Sequence, residues 1–169
     1  MIEKLMPDEY HSDIYKISPE SLAYRGIKAV ILDIDNTLVT YDDAEPTESV
    51  LAWLEGLKSC GIKAAFISNN NADRVKRFNS GLNFPAFPDA GKPGTRFHRI
   101  AMHEMNVSAE ETAVIGDQLF TDIWAGKKAG CYSLLVDPIK DRRDILTRSK
   151  RLLERPILRK YKKKAADRD

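Results

Sequence analysis

Six side chains have the types and the spacing to handle a phosphate group. Asp33 and Asp35 lie in the run Asp33-Ile34-Asp35-Asn36-Thr37-Leu38, and Asp117 and Asp122 in Gly116-Asp117-Gln118-Leu119-Phe120-Thr121-Asp122. Between them come Ser68, followed by three asparagines, and Lys92 within Gly91-Lys92-Pro93-Gly94. Free aspartate has a pKa of about 3.9, so carboxylates crowded together repel one another at neutral pH. A divalent cation removes that conflict. Magnesium is usually held by one or two carboxylates, waters and phosphate oxygens, a set to which Asp33, Asp117 and Asp122 can contribute. Lys92 would add positive charge toward the phosphate, and Ser68 with nearby backbone N–H groups would donate hydrogen bonds to its oxygens.

Nothing in the sequence competes for zinc or iron. His98 and His103 are five apart, whereas a helix brings together residues three or four apart, so with His11 they read as surface or helix histidines. Cys60 and Cys131 form no Cys-x-x-Cys pair and read as small buried fillers, reduced in the cytosol.

These residues are far apart in the chain, so elements must bring them together. Lys28 to Leu32, Lys63 to Ile67, Thr112 to Ile115 and Tyr132 to Val136 are apolar runs of strand length, with a weaker segment around Phe84 to Phe87 that its prolines interrupt. Helical spacing appears in Glu48–Ser59, in a segment capped by Asn71 that contains Val75 and Phe78, through Phe97 to Met105, and from Phe120 to Ala129. Ser108 with Glu111 reads as a capping box for one brief helical turn. Residues 1–26 are mixed, with Pro7 and Pro19 breaking any long helix. Alternating strands and helices imply an α/β fold with a mainly parallel sheet covered on both faces. In such a sheet a ligand sits beyond the carboxyl ends of the strands. Asp33 and Asp35, Ser68 and Asp117 each follow a strand there, so they should converge.

The four segments, in this order, resemble the motifs of the haloacid dehalogenase (HAD) superfamily over residues 28–136. That resemblance implies a three-layer Rossmann-like core and hydrolysis of phosphomonoesters with Mg2+. It implies Asp33 as nucleophile, and Asp35 as the proton donor and later base, with its backbone carbonyl on the metal. Ser68, Asn69 and Lys92 would bind the transferring phosphate, Lys92 also holding the nucleophile. Asp117 would ligate the metal, with Asp122 assisting or fixing Lys92, so the metal group is Asp33, Asp35, Asp117 and Asp122. Taken singly, each residue has a plainer reading. Asp33 and Asp35 suit a turn, Ser68 and its asparagines a helix cap, and Lys92 a solvated surface. Lys92 is not in a P-loop, because Pro93 replaces the required Ser or Thr.

The intervals from Asp35 to Ser68 and from Ser68 to Lys92 are each used by a core helix and strand, so no cap domain fits in either. The segment Val39 to Asp43 is expected as a flap beside the site, with Tyr41 on it. The pieces Leu5-Met6-Pro7-Asp8, Ile14-Tyr15-Lys16-Ile17, Gly26-Ile27-Lys28 and Arg151-Leu152-Leu153-Glu154-Arg155-Pro156 resemble the YqeG group, a subfamily IIIA set of capless HAD phosphatases. That likeness implies removal of the terminal phosphate from phosphatidylglycerophosphate. The alternatives are a soluble or protein phosphate ester as substrate, or a non-catalytic module that binds phosphate or a lipid surface.

Charge is uneven. Residues 140–169 hold 13 Lys and Arg against 5 Asp and Glu, leaving 14 basic and 20 acidic residues before them. The expected division is a phosphatase domain over 1–139 and a basic helical tail over 140–169. Cationic side chains contribute on the order of 1 kcal/mol each at an anionic bilayer, so the tail suits a cytoplasmic protein that sits peripherally on a membrane. Its leucines and isoleucine are free either to enter that interface or to pack on the body. Sparse aromatics in the tail argue against nucleic acid. The apolar runs are far shorter than the roughly 20 residues of a membrane span, and the N-terminus lacks a signal-peptide core.

Overall fold

The computed structural model describes residues 5–140 and 152–161. The apolar runs become strands β2 (Ala29–Leu32), β3 (Lys63–Ile67), β5 (Thr112–Gly116) and β6 (Tyr132–Val136), flanked by the short edge strands β1 (Glu9–His11) and β4 (Ala86–Phe87). All six are parallel, in the order β1-β6-β5-β2-β3-β4. Side chains alternate across the sheet as the two-residue period of a strand requires. Val30 and Leu32 enter one apolar cluster, while Ala29 and Ile31 enter another.

Helices cover both faces. On the first lie α1 (Pro19–Tyr24), α2 (Glu48–Ser59) and α3 (Ala72–Asn79), which bury Leu22, Val50, Leu54, Leu57, Val75 and Phe78. On the second, α4 (Arg96–Met105) buries Ala101, Met102 and Met105. The helix after β5 begins as a π-helical turn, Leu119–Ile123, and continues as α5 (Trp124–Ala129). Such turns open a helix locally and often accompany functional sites.

Chain order fixes where a ligand belongs. From β2 the chain moves outward to β3 and β4; from β5, the neighbour of β2 on its other side, it moves the opposite way to β6. The crevice beyond the carboxyl ends of β2 and β5 is therefore the switch point of the sheet. Among the described residues, the stretch from Asp35 to Ser68 holds a loop, α2 and β3, with no inserted domain.

Some elements differ from expectation. β1 is polar yet pairs with β6, Glu9 opposite Leu134. Pro19 stands at the first helical position behind the Ser18 cap, so it opens the six-residue α1 while no long helix runs through it. Residues 109–111 form a turn; Glu111 accepts the Ser108 N–H at 3.1 Å, but no helix follows. His98 lies on α4 and faces the core, not the surface. Both cysteines are free thiols, but only Cys131 is the expected buried filler, Cys60 being half-buried.

Part of the tail is also described. Residues 152–161 are helical (α6), and Ile157 packs with Met6, Leu119, Ile123 and Leu135, with Leu158 at the edge. Leu152 and Leu153 stay 59% and 64% exposed. The expected tail residues 141–151 and 162–169 lie outside the described residues. No helix among the described residues is long and apolar enough to cross a membrane.

Candidate active site

β2 ends in a tight turn that sets Asp33 and Asp35. Asn36 adopts φ 66°, a left-handed conformation that asparagine tolerates better than most residues. The N–H groups of Thr37, Leu38 and Val39 all turn back to the Ile34 carbonyl. Thr37 Oγ1 then lies 3.3 Å from Asp33 Oδ2 and 3.4 Å from Asp117 Oδ1, one proton between two acceptors. Thus the ends of β2 and β5 are stitched together at the switch point.

Lys92 reaches the same place from the loop after β4. Its Nζ donates to Asp33 Oδ1 at 2.6 Å and to the Ile67 carbonyl at 2.9 Å, and pairs with Asp122 Oδ1 at 2.6 Å. Those three contacts match the three protons of an ammonium. Asn69 braces the lysine backbone, accepting its N–H at 2.8 Å and donating to its carbonyl at 3.3 Å. Ser68, at the end of β3, is buried, and its Oγ accepts the Asn70 N–H at 3.0 Å.

Asp122 stands on the π-helical turn, where its Oδ2 accepts the Gln118 N–H at 3.1 Å. Gly116 leaves the room for it. A Cβ at Gly116 would come 2.4 Å from the Asp122 Cβ, Cγ and Oδ2. The turn is held from outside the sheet as well, where the Leu119 N–H donates to Glu154 Oε1 of α6 at 3.0 Å.

One carboxylate oxygen from each of Asp33, Asp117 and Asp122 lies within 4.8 Å of the other two, and all three residues are buried. An all-oxygen donor set of this charge suits a hard divalent cation. Electrostatics agree. Burial pushes the Asp33 carboxyl up to about 7, with Asp122 and Asp35 adding to the rise and Lys92 opposing it. For Lys92, burial favours the neutral amine, but Asp122 and Asp33 outweigh it and hold the group charged. A cation among these carboxylates would relieve the same repulsion.

Of the expected metal group, Asp35 points its carboxylate elsewhere. Arg74 of α3 donates to Asp35 Oδ1 through Nε at 3.1 Å and Nη2 at 2.9 Å, and Asn70 Nδ2 donates to Oδ2 at 3.0 Å. Sequence reasoning missed Arg74, Asn70 and Thr37 as site residues. Their signal is position: the turn after β2 and the first turn of a helix that follows β3 both face the switch point. Beside Arg74, a groove of about 290 Å³ is lined by Tyr41, Asp42, Ala44, Asp73, Arg74 and Arg77, between the expected flap segment and α3.

A parallel Rossmann-like sheet with an aspartate turn after β2, a lysine loop and an acidic π-helical turn after β5 defines a HAD-type phosphatase. The family description HAD-hydrolase-like matches residues 89–154. The chain is 41% identical to the probable phosphatase YqeG of Bacillus subtilis over 97% of this chain and 96% of that one, and it belongs to the YqeG phosphatase family. Solved structures agree on the fold. The cobalt-bound deoxy-D-mannose-octulosonate 8-phosphate phosphatase of Haemophilus influenzae has a TM-score of 0.53 at 23% identity, covering 66% of this chain and 69% of that one. A putative β-phosphoglucomutase from Thermotoga maritima has a TM-score of 0.55 at 17% identity, over 72% and 91%.

Proposed function

We propose that the chain hydrolyses phosphomonoesters through an aspartyl-phosphate on Asp33, with Mg2+ held by Asp33, Asp117, the Asp35 backbone carbonyl and, directly or through Lys92, Asp122. The observation that carries this reading is the buried carboxylate triad at the switch point, two of whose members, Asp33 and Asp122, Lys92 bridges. When bound, the cation would supply positive charge that ionises Asp33 and offsets the charge of the phosphate oxygens.

The remaining chemistry belongs to the chain. An Asp33 carboxylate oxygen attacks phosphorus, the ester P–O bond breaks, and the departing oxygen takes the proton of Asp35. Asp35 then removes a proton from water, the water oxygen attacks the same phosphorus, and the acyl-phosphate bond breaks to regenerate Asp33. This division replaces one difficult displacement with two easier ones, and proton transfer of this kind contributes about 10²–10⁴-fold. Lys92 restrains Asp33 at 2.6 Å, and Ser68 and Asn69 stand at the end of β3 to bind the phosphate. Beryllium fluoride with magnesium should form a stable adduct on Asp33, and Asp33→Asn should abolish both adduct and turnover. Wild-type-like activity from Asp33→Asn would remove the reading.

Within it, the substrate is phosphatidylglycerophosphate, released as phosphatidylglycerol at a membrane surface. Support comes from the absence of an inserted cap among the described residues, and from α6, which exposes Leu152 and Leu153 beside Arg155, Arg159 and Lys160. Phosphate release from this lipid in mixed micelles should exceed that from a panel of soluble esters. Equal or faster turnover of a soluble ester assigns the activity to soluble or protein phosphates instead.

A further inference from the structure

Arg74 is a cation that meets the site without meeting the carboxylate triad. Its side chain is 12% exposed, and its partner Asp35 is 6% exposed. Besides its two bonds to Asp35 Oδ1, Nη1 donates to the Ala44 carbonyl and Nη2 to the Thr40 carbonyl, each at 3.2 Å. Four of the five N–H groups of the guanidinium are thereby committed to protein acceptors. A guanidinium so engaged is poorly placed to clamp a phosphate. What it fixes is the plane and the reach of one carboxylate. Asn70 closes the other side of Asp35, and the backbone of residues 35 and 39 is bridged. Arg74 also lines the groove against Tyr41 and Ala44, so one side chain joins the flap segment, α3 and Asp35.

We propose that Arg74 is a positioning residue that aims the Asp35 carboxyl at the departing oxygen of the substrate. This rests on the reading of Asp35 as the proton donor. A side chain that is free to rotate by an ångström loses about 10²-fold in rate, the scale expected from misplaced catalytic groups. The loss falls only on substrates whose leaving group needs a proton.

The test compares kcat/KM on two esters with magnesium: glycerol 3-phosphate, whose alkoxide needs protonation, and p-nitrophenyl phosphate, whose phenolate departs unaided. kcat/KM ends at the first irreversible step, so the later attack by water does not enter. Arg74→Met should lower the value for the alkyl ester about 10²-fold and barely change it for the aryl ester. Arg74→Lys keeps the charge and the stem but not the planar fork, and should show the same selectivity at a smaller size. It also serves if the methionine variant fails to fold. Asp35→Asn is the reference, with a selective loss of about 10²–10⁴-fold. Equal losses on both esters, or none, in the arginine variants beside a selective Asp35→Asn would overturn the proposal and leave the proton-donor reading standing. An Asp35→Asn variant that treats both esters alike would overturn that reading and this proposal with it.

Discussion

Gly116→Ala probes the site through volume alone. The added methyl carbon would stand 2.4 Å from three Asp122 atoms, whereas ordinary contact begins near 3.4 Å. Relief therefore requires a displacement of about 1 Å. Rotating the Asp122 side chain does not supply it, because the Asp122 Cβ is itself one of the clashing atoms. The π-helical turn must move, and with it the Lys92 contact at 2.6 Å and the Glu154 cap at 3.0 Å. Overpacking typically costs 1–3 kcal/mol. With the disturbed ion pair added, the expected loss is about 3 kcal/mol, or roughly 6–12 °C in Tm for a chain of this length. With Asp122 beside the proposed cation, a shift this large should weaken metal affinity about 10–100-fold. Thermal unfolding and magnesium titration of turnover measure the two effects. The double variant Gly116→Ala with Asp122→Gly removes the clash, so its stability should exceed that expected by adding the single losses. Gly81→Ala, where a methyl meets nothing within 4 Å, is the control. If Gly116→Ala stays within about 0.5 kcal/mol of wild type and binds magnesium normally, the close packing inferred for this turn is wrong.

Lys92→Met leaves two buried carboxylates without their shared cation; in metal-free protein it should cost about 3–5 kcal/mol by urea unfolding, and magnesium should recover more stability in the variant than in wild type. His98 is held near 4 by burial, with Lys92 and Lys128 adding to the effect. The unfolded chain therefore binds the extra proton between about pH 6.5 and 4, and stability falls as pH drops through that window. The difference between wild type and His98→Leu should change by about 2 kcal/mol from pH 7 to pH 5, to the disadvantage of wild type, and a flat difference would refute the buried neutral imidazole. Glu154→Ala strands the buried Leu119 N–H and should cost about 1–3 kcal/mol, read as a lowered Tm.

The central sheet was legible because each of its strands is an apolar run, and because polar residues follow β2, β3 and β5 at one edge. β1 was not, since Glu-Tyr-His carries no apolar signature and owes its form to the open edge of β6. The helix after β5 read as one continuous element from Phe120; its opening π-helical turn follows from tertiary constraints at Gly116 and Glu154, which no local pattern reports. Within the site, the aspartates and Lys92 stood out by motif. Arg74 sits among Asp73, Lys76 and Arg77 on a charged helix, and only the third dimension separates it from the solvated cations beside it. His98 does lie on a helix, but its burial was not legible, because a histidine at a core position of a helix has the same spacing as one at the surface.

The bond from Leu119 to Glu154 sets the smallest length of chain that keeps the site intact. Cutting after Val136 would spare all four aspartates of the site, the lysine and the serine, and would still remove the acceptor that steadies the turn beneath Asp122. It would also strip Ile157 from Met6, Leu119 and Ile123, wetting an apolar face directly behind the acidic cluster. A fragment trimmed to its signature residues would own the right atoms on a scaffold that has lost its buttress.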